Sequence, residues 1–169
     1  MKFRSTVGQA PGVGFCEALL QGIAPDGGLY VPEYFPGVDL ADFADASTPA
    51  QVGAIMLAPF ARGSELETCL PTICQEAFSF PIPLKRIPSD SGALHVLELF
   101  HGPTAAFKDV GARFLAACFE RLNSGQQVPL TILVATSGDT GGAVAAAFNG
   151  RPNTRVVVLF PKGLVSGRQ

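Results

Sequence analysis

Two short runs hold the residues whose types and spacing could do chemistry. Phe100-His101-Gly102-Pro103-Thr104-Ala105-Ala106-Phe107-Lys108-Asp109 places a lysine near the start of an expected helix. Thr136-Ser137-Gly138-Asp139-Thr140-Gly141 is a turn of small residues at the start of another, with Ser137 29 positions beyond Lys108. A lysine attacks a carbonyl only as its free amine, and the positive end of a helix opposes the charged form. In the second run, unpartnered N–H groups and the hydroxyls of Ser137 and Thr140 converge with little side-chain bulk, which suits a carboxylate or a phosphate. A reactive amine beside an anion cradle points to covalent chemistry on an aldehyde cofactor. Each run also has a plainer reading. A lysine at a helix start can be a solvated charge, and a glycine-rich turn can serve close packing alone. Asp139 brings like charge to an anion cradle, so it should face something else, such as a hydroxyl or a protonated ring.

The elements that position these runs follow from periodicity and stop signals. Ala93 to Leu99 reads as a strand. Thr104 is expected to cap a helix reaching Leu122, with Phe107, Gly111, Phe114, Leu115, Cys118 and Leu122 at helical spacing. Asn123-Ser124-Gly125 ends it. Leu130 to Ala135 is an unbroken apolar strand, the pattern of a sheet covered on both faces. Thr140 to Phe148 reads as an alanine-rich helix, stopped by Asn149-Gly150, and Arg155 to Phe160 as another buried strand. Strand, helix, strand, helix, strand predicts right-handed βαβ units and a parallel sheet, hence an α/β fold. Before residue 93 the pattern is mixed. Helices are expected at Phe15 to Ile23, Ala50 to Ala61 and Leu70 to Phe78. Asp26-Gly27-Gly28 is a turn, and Leu29-Tyr30-Val31 a short strand closed by Pro32. Pro81-Ile82-Pro83 is a stiff connector. The expected division is a mixed segment, 1–92, followed by an α/β region, 93–169.

Composition narrows the function classes. Of 169 residues, 47% are apolar and 15% charged, against about 25% charged in a typical soluble domain. This fits either a compact, Gly- and Pro-rich domain or one with some apolar surface covered by other polypeptide. The net charge of −2 is interspersed, with no Lys/Arg stripe of the kind that binds nucleic acid. No run approaches the ~18 apolar residues of a membrane span, and the N-terminus lacks a signal-like apolar stretch, so a cytoplasmic protein is the default. Cys16, Cys69, Cys74 and Cys118 form no CxxC, and His95 and His101 lack metal-ligand spacing with them, so core thiols in a reducing compartment and no metal are expected, a disulfide framework being the alternative.

The same runs resemble a known family. His101 to Asp109 resembles the pyridoxal-phosphate lysine motif of threonine synthases, and Thr136 to Gly141 their second motif. Asp26-Gly27-Gly28-Leu29-Tyr30-Val31-Pro32 is similar to their N-terminal signature, and Phe78-Ser79-Phe80-Pro81 is also similar. The long N-terminal segment and Asp139 resemble the bacterial and fungal type. The resemblance implies an incomplete tryptophan-synthase-β-like (type II) fold and the cofactor pyridoxal 5'-phosphate. It implies conversion of O-phospho-L-homoserine and water to L-threonine and phosphate. Lys108 would hold the cofactor as a Schiff base and then shuttle protons. Ser137, Gly138 and Thr140, with Thr136, would hold the substrate carboxylate. Asp139 would stand where relatives often place asparagine against the cofactor's ring hydroxyl.

The family's Gly-rich loop for the cofactor phosphate is not matched before Gln169; Pro161-Lys162-Gly163 does not fit it. The expectation is therefore an N-terminal part of a larger enzyme, a monomer or homodimer, inactive without the remainder of its chain. Arg113 and Lys162 are candidates for the substrate phosphate or plain surface charges. His101 is either a proton carrier or a turn residue. Within the fold, the rivals are a dehydratase, a cysteine-synthase-like enzyme and a phospholyase; outside it, a non-catalytic packing or dimerisation domain.

Overall fold

The computed structural model describes residues 1–88, 92–136 and 138–165, in two compact units, Met1–Gln75 and Glu76–Gln169. The first unit contains β1 (Phe3–Ser5), α1 (Phe15–Gln21), β2 (Tyr30–Pro32), a 3-10 turn (Leu40–Phe43) and α2 (Pro49–Ala61). Helix α3 (Leu70–Ala77) carries the chain across the division. Strands β1 and β2 pair antiparallel, Phe3 opposite Pro32 and Ser5 opposite Tyr30. Phe3, Val13 and Ala18 form a small core, against which Phe15, Tyr30 and Phe60 pack. Helix α2 begins with a capping box: the Gln51 N–H donates to the Thr48 hydroxyl at 3.2 Å, and the Thr48 N–H donates to Oε1 of Gln51 at 3.1 Å.

One carboxylate ties this unit together. Asp26 accepts from the Ser5 hydroxyl (2.6 Å) and from the backbone N–H groups of Gln9 (2.9 Å), Ala10 (2.8 Å) and Gly28 (3.0 Å). Gly27 sits at φ +82°, which favours a residue without Cβ, and a Cβ on Gly28 would lie 2.0 Å from the Ser5 hydroxyl oxygen. The expected Asp-Gly-Gly turn is thus a hub joining the end of β1, the loop after it and the entry to β2. The Ser5 bond leads in holding the Asp26 carboxyl down at about 2, the backbone donors adding to it against the opposing effect of burial.

The second unit contains β3 (Leu84–Ile87), β4 (Leu94–Leu97), α4 (Lys108–Leu122), β5 (Leu130–Ala135), α5 (Asp139–Phe148) and β6 (Thr154–Leu159). Strands β5 and β6 are parallel, Leu130 opposite Thr154 and Ala135 opposite Leu159, with α5 as the crossover. That is one βαβ unit, as expected. The strand before α4 differs from expectation. β4 lies outside the parallel sheet and pairs antiparallel with β3, Leu84 opposite Leu97 and Ile87 opposite Leu94. Two prolines and Lys85-Arg86 hide β3 in the sequence, because they read as a connector.

Helices α4 and α5 pack together. The Phe119 and Phe148 rings are 6.0 Å apart, and Ala116, Ala117, Cys118, Ala143 and Ala147 are buried. Their C-terminal ends are pinned by Arg151 to Glu120 at 2.5 Å and by the Asn123 amide donating to the Asn153 carbonyl at 2.7 Å. Arg121 donates two bonds to Glu76, which lead in lowering that carboxyl from its ordinary range. Among the described residues, only one face of the parallel pair is covered. Leu133 and Leu159, on the face away from α5, are 64% and 52% exposed, so the two-sided burial expected for Leu130–Ala135 is not supplied by the described residues.

Candidate functional site

Lys108 is the first residue of α4. The sequence placed the cap of this helix at Thr104, and the structure moves it three residues on, to Phe107. Thr104 does not cap the helix. It is held in a turn, where its N–H donates to Oδ2 of Asp109 at 2.9 Å and its hydroxyl to Oδ1 at 2.8 Å. Ala105 lies at φ +55°, the left-handed region that a residue with Cβ rarely takes, so an uninterrupted helix from Thr104 is excluded. Asp109 is 1% exposed. Gly102 faces it so closely that a Cβ would lie 2.4 Å from Oδ2 and 2.7 Å from the Asp109 Cβ. Lys108 itself is half-buried, its Nζ 4.4 Å from the centre of the exposed Phe107 ring.

The second run starts where β5 ends. The Thr136 hydroxyl oxygen accepts from the N–H groups of Gly138 and Gly141, both at 3.3 Å. Gly141 also donates to the Gly138 carbonyl at 3.0 Å. The N–H groups of Gly138 and Gly141, expected to be free donors of the cradle, are therefore engaged by Thr136 at the start of α5. A Cβ on Gly141 would lie 2.0 Å from the Thr136 methyl carbon and 3.3 Å from Val158. Asp139 and Thr140 are exposed in the first turn of α5. Ser137 lies outside the described residues. A pocket of about 240 Å³ is lined by Thr136, Gly138, Gly141, Gly142, Val158 and Phe160, among others.

The structure thus brings Thr136 and Gly138 into one pocket, while Lys108, Asp139 and Thr140 are not among its described lining residues. What relates the two runs is the helix pair. With the C-terminal ends of α4 and α5 pinned together, Lys108 and Asp139 start their helices roughly 17 and 14 Å back from the Phe119–Phe148 contact, at ~1.5 Å per residue. Both helix starts therefore open toward the same end of the unit, the end at which β5 delivers the chain to α5. That is where open α/β sheets take ligands.

Two other candidates resolve. Arg113 is not a free surface charge: it donates to the carbonyls of Ala77 (2.9 Å) and Glu76 (2.5 Å) and to the Ser79 hydroxyl (2.9 Å), closing the end of α3. His101 lies 2.7 Å from Glu98 and against the Phe100 ring, a pairing open to a turn residue and to a proton carrier alike. Cys16, Cys69 and Cys74 are free thiols, Cys74 and Cys118 are buried, and burial pushes the Cys74 thiol up to about 11. No group of residues suited to a metal ion occurs among the described residues, and no described helix is long and apolar enough to cross a membrane. Sequence reasoning missed Asp109. Its signal was an acid directly after the lysine and five residues after a threonine.

Residues 2–78 match a family model described as the threonine synthase N terminus. The chain is 41% identical over 159 residues to threonine synthase from Escherichia coli K12, an alignment taking in 93% of this chain and 36% of that enzyme. Against the enzyme from Saccharomyces cerevisiae it is 36% identical, with 97% and 36% covered. Its fold superposes on a pyridoxal-phosphate-bound threonine synthase from Brucella melitensis with a TM-score of 0.86 at 41% identity, covering 98% of this chain and 37% of that one. The chain spans about a third of the length of the curated relatives it matches. By sequence and by fold, this chain matches the N-terminal portion of threonine synthases.

Proposed function

We propose that this chain supplies the lysine side of a pyridoxal-phosphate site in a protein that converts O-phospho-L-homoserine and water to L-threonine and phosphate. The observation that carries the reading is the placement of Lys108. It is the half-buried first residue of α4, followed directly by a fully buried acid, at the same end of the helix pair as the Thr136–Gly141 turn. The donor chemistry fits the group: a lysine amine for an aldehyde, and exposed Asp139 at the start of α5 for a ring hydroxyl. When bound, pyridoxal phosphate supplies an electron sink for charge developing at the substrate's Cα.

The chain's own residues have distinct tasks. Lys108 would hold the cofactor through its amine and would move protons at the substrate's Cα and Cβ. Thr136, Ser137, Gly138 and Thr140 orient the substrate by its carboxylate. Thr136 also shapes the turn, because its hydroxyl fixes Gly138 and Gly141. By role, residues 1–92 form the N-terminal segment and 93–169 the opening part of the cofactor region, completed by further polypeptide of the same enzyme. The 169 residues alone are expected not to turn over. Free thiols at Cys16, Cys69 and Cys74 suit the reducing cytoplasm.

The test uses the protein made from its whole gene. After incubation with pyridoxal phosphate and borohydride, peptide mass spectrometry should find the label on Lys108. The same protein should release phosphate from O-phospho-L-homoserine with formation of threonine. Label elsewhere, or none, overturns the assignment of Lys108. Turnover of serine or phosphoethanolamine instead would keep the lysine and replace the substrate.

A further inference from the structure

We infer that Asp109, acting through Thr104, is a positioning residue that sets the approach of the Lys108 amine. The inference rests on the assignment of Lys108 as the cofactor lysine. Among the described residues, Asp109 is the only fully buried charged side chain. Burying a carboxylate is costly unless its oxygens are satisfied, and both oxygens of Asp109 are spent on one residue, Thr104. The result is a closed loop of six residues whose last two positions are Lys108 and its clasp. Inside it, Ala105 is held at φ +55° with its N–H donating to the Gly102 carbonyl at 3.1 Å, and Ala106 is buried.

That loop has no reason to persist without the clasp. A left-handed alanine is strained and holds only when its surroundings over-determine it. Gly102 shows how tightly they do so, since no side chain fits between it and Asp109. Lys108 is therefore bracketed, by the clasped loop on one side and the helical ladder of α4 on the other. Its Cα, and with it the origin of a long flexible side chain, is fixed before any ligand arrives. A misplacement of about 1 Å at a reacting group can cost on the order of 100-fold in rate.

The geometry separates position from charge. Asparagine at 109 can accept the Thr104 N–H with its oxygen and donate its amide N–H to the Thr104 hydroxyl, which turns to accept. In the protein made from its whole gene, Asp109→Asn should label at Lys108 within about threefold of the parent, measured by borohydride trapping with pyridoxal phosphate. Asp109→Ala should slow labelling by about tenfold or more and weaken the visible circular dichroism of the bound cofactor. Gly102→Ala, which pushes on Asp109 from the other side, should do the same and serves should Asp109→Ala not fold. Phe148→Leu, in the core of the same unit, controls for general loss of stability and should label normally at equal folded fraction. Normal labelling of Asp109→Ala and Gly102→Ala overturns the inference, as does an Asp109→Asn as impaired as Asp109→Ala. An unlabelled parent protein sinks the assignment of Lys108 instead, and is read before any variant.

Discussion

The two helix starts of the second unit solve one problem from opposite directions. At α4 the fixing group lies inside the helix: Asp109 reaches back to the N–H and hydroxyl of Thr104. At α5 it lies before the helix: Thr136, at the end of β5, reaches forward to Gly138 and Gly141. Each clasp presses on a glycine, Gly102 in one case and Gly141 in the other. The backward clasp leaves the residue beside it, Lys108, with its place in the chain settled. The forward clasp uses the strand as anchor and leaves the first helical residues, Asp139 and Thr140, exposed. One start presents a single reactive group, and the other presents a turn.

That contrast can be sharpened or broken by substitution. The largest effect belongs to Lys108→Arg, which keeps the charge but cannot form the cofactor linkage. Trapped label should vanish while chemical unfolding shifts by no more than about 0.5 kcal/mol, since Lys108 is only half-buried and arginine keeps its charge. A variant that still takes label at another lysine would place the reactive amine outside α4. Next come Gly102→Ala and Gly141→Ala, each forcing a Cβ to within 2.4 and 2.0 Å of a clasp atom. Urea titration should show a loss of about 1–3 kcal/mol for each. If one is tolerated and the other not, the likeness between the two starts is superficial. Thr136→Val should cost less, about 0.5–2 kcal/mol, with faster hydrogen exchange confined to the amides of Gly138 and Gly141.

The smallest effect concerns the first unit and acid. Asp26 has its carboxyl lowered from 3.8 to about 2 in the fold. Its contribution is therefore fully present above the unfolded value near 3.8 and fades as pH falls toward about 2. Asp26→Asn should flatten the stability-versus-pH curve in that window and leave the α4 and α5 starts untouched. An unchanged curve between pH 4 and 2 would show that the hub contributes through shape alone.

How much of this was legible depended on whether the signal was local. Leu130–Ala135 and the helix after it were readable to within a residue, because an unbroken apolar run and Asn149-Gly150 mark their ends without outside help. Lys108 and the small-residue turn were legible as chemistry-bearing residues, since type and order carried the information. The start of α4 was not. Thr104 has the chemistry of a cap, and only the bonds to Asp109 reveal that it closes a turn instead. β3 was hidden because a hairpin strand with Lys85-Arg86 and flanking prolines lacks alternation, and its identity comes from its partner β4. Arg113 looked available for a phosphate for the same reason: its acceptors, two carbonyls at the end of α3, lie more than thirty residues away in sequence.

The uncovered face of the β5–β6 pair has a consequence that is colloidal rather than catalytic. Leu133 and Leu159 stand more than half exposed on a sheet of two strands, each with an outer edge that no described strand pairs. Sheet edges and apolar faces are where polypeptides stick to one another, and a net charge of −2 gives little repulsion to prevent it. A preparation of these 169 residues will therefore be governed by concentration and salt, scattering more light as either rises. The apolar face that carries Leu133 and Leu159 contributes to that self-association, apart from the lysine that draws attention to the chain.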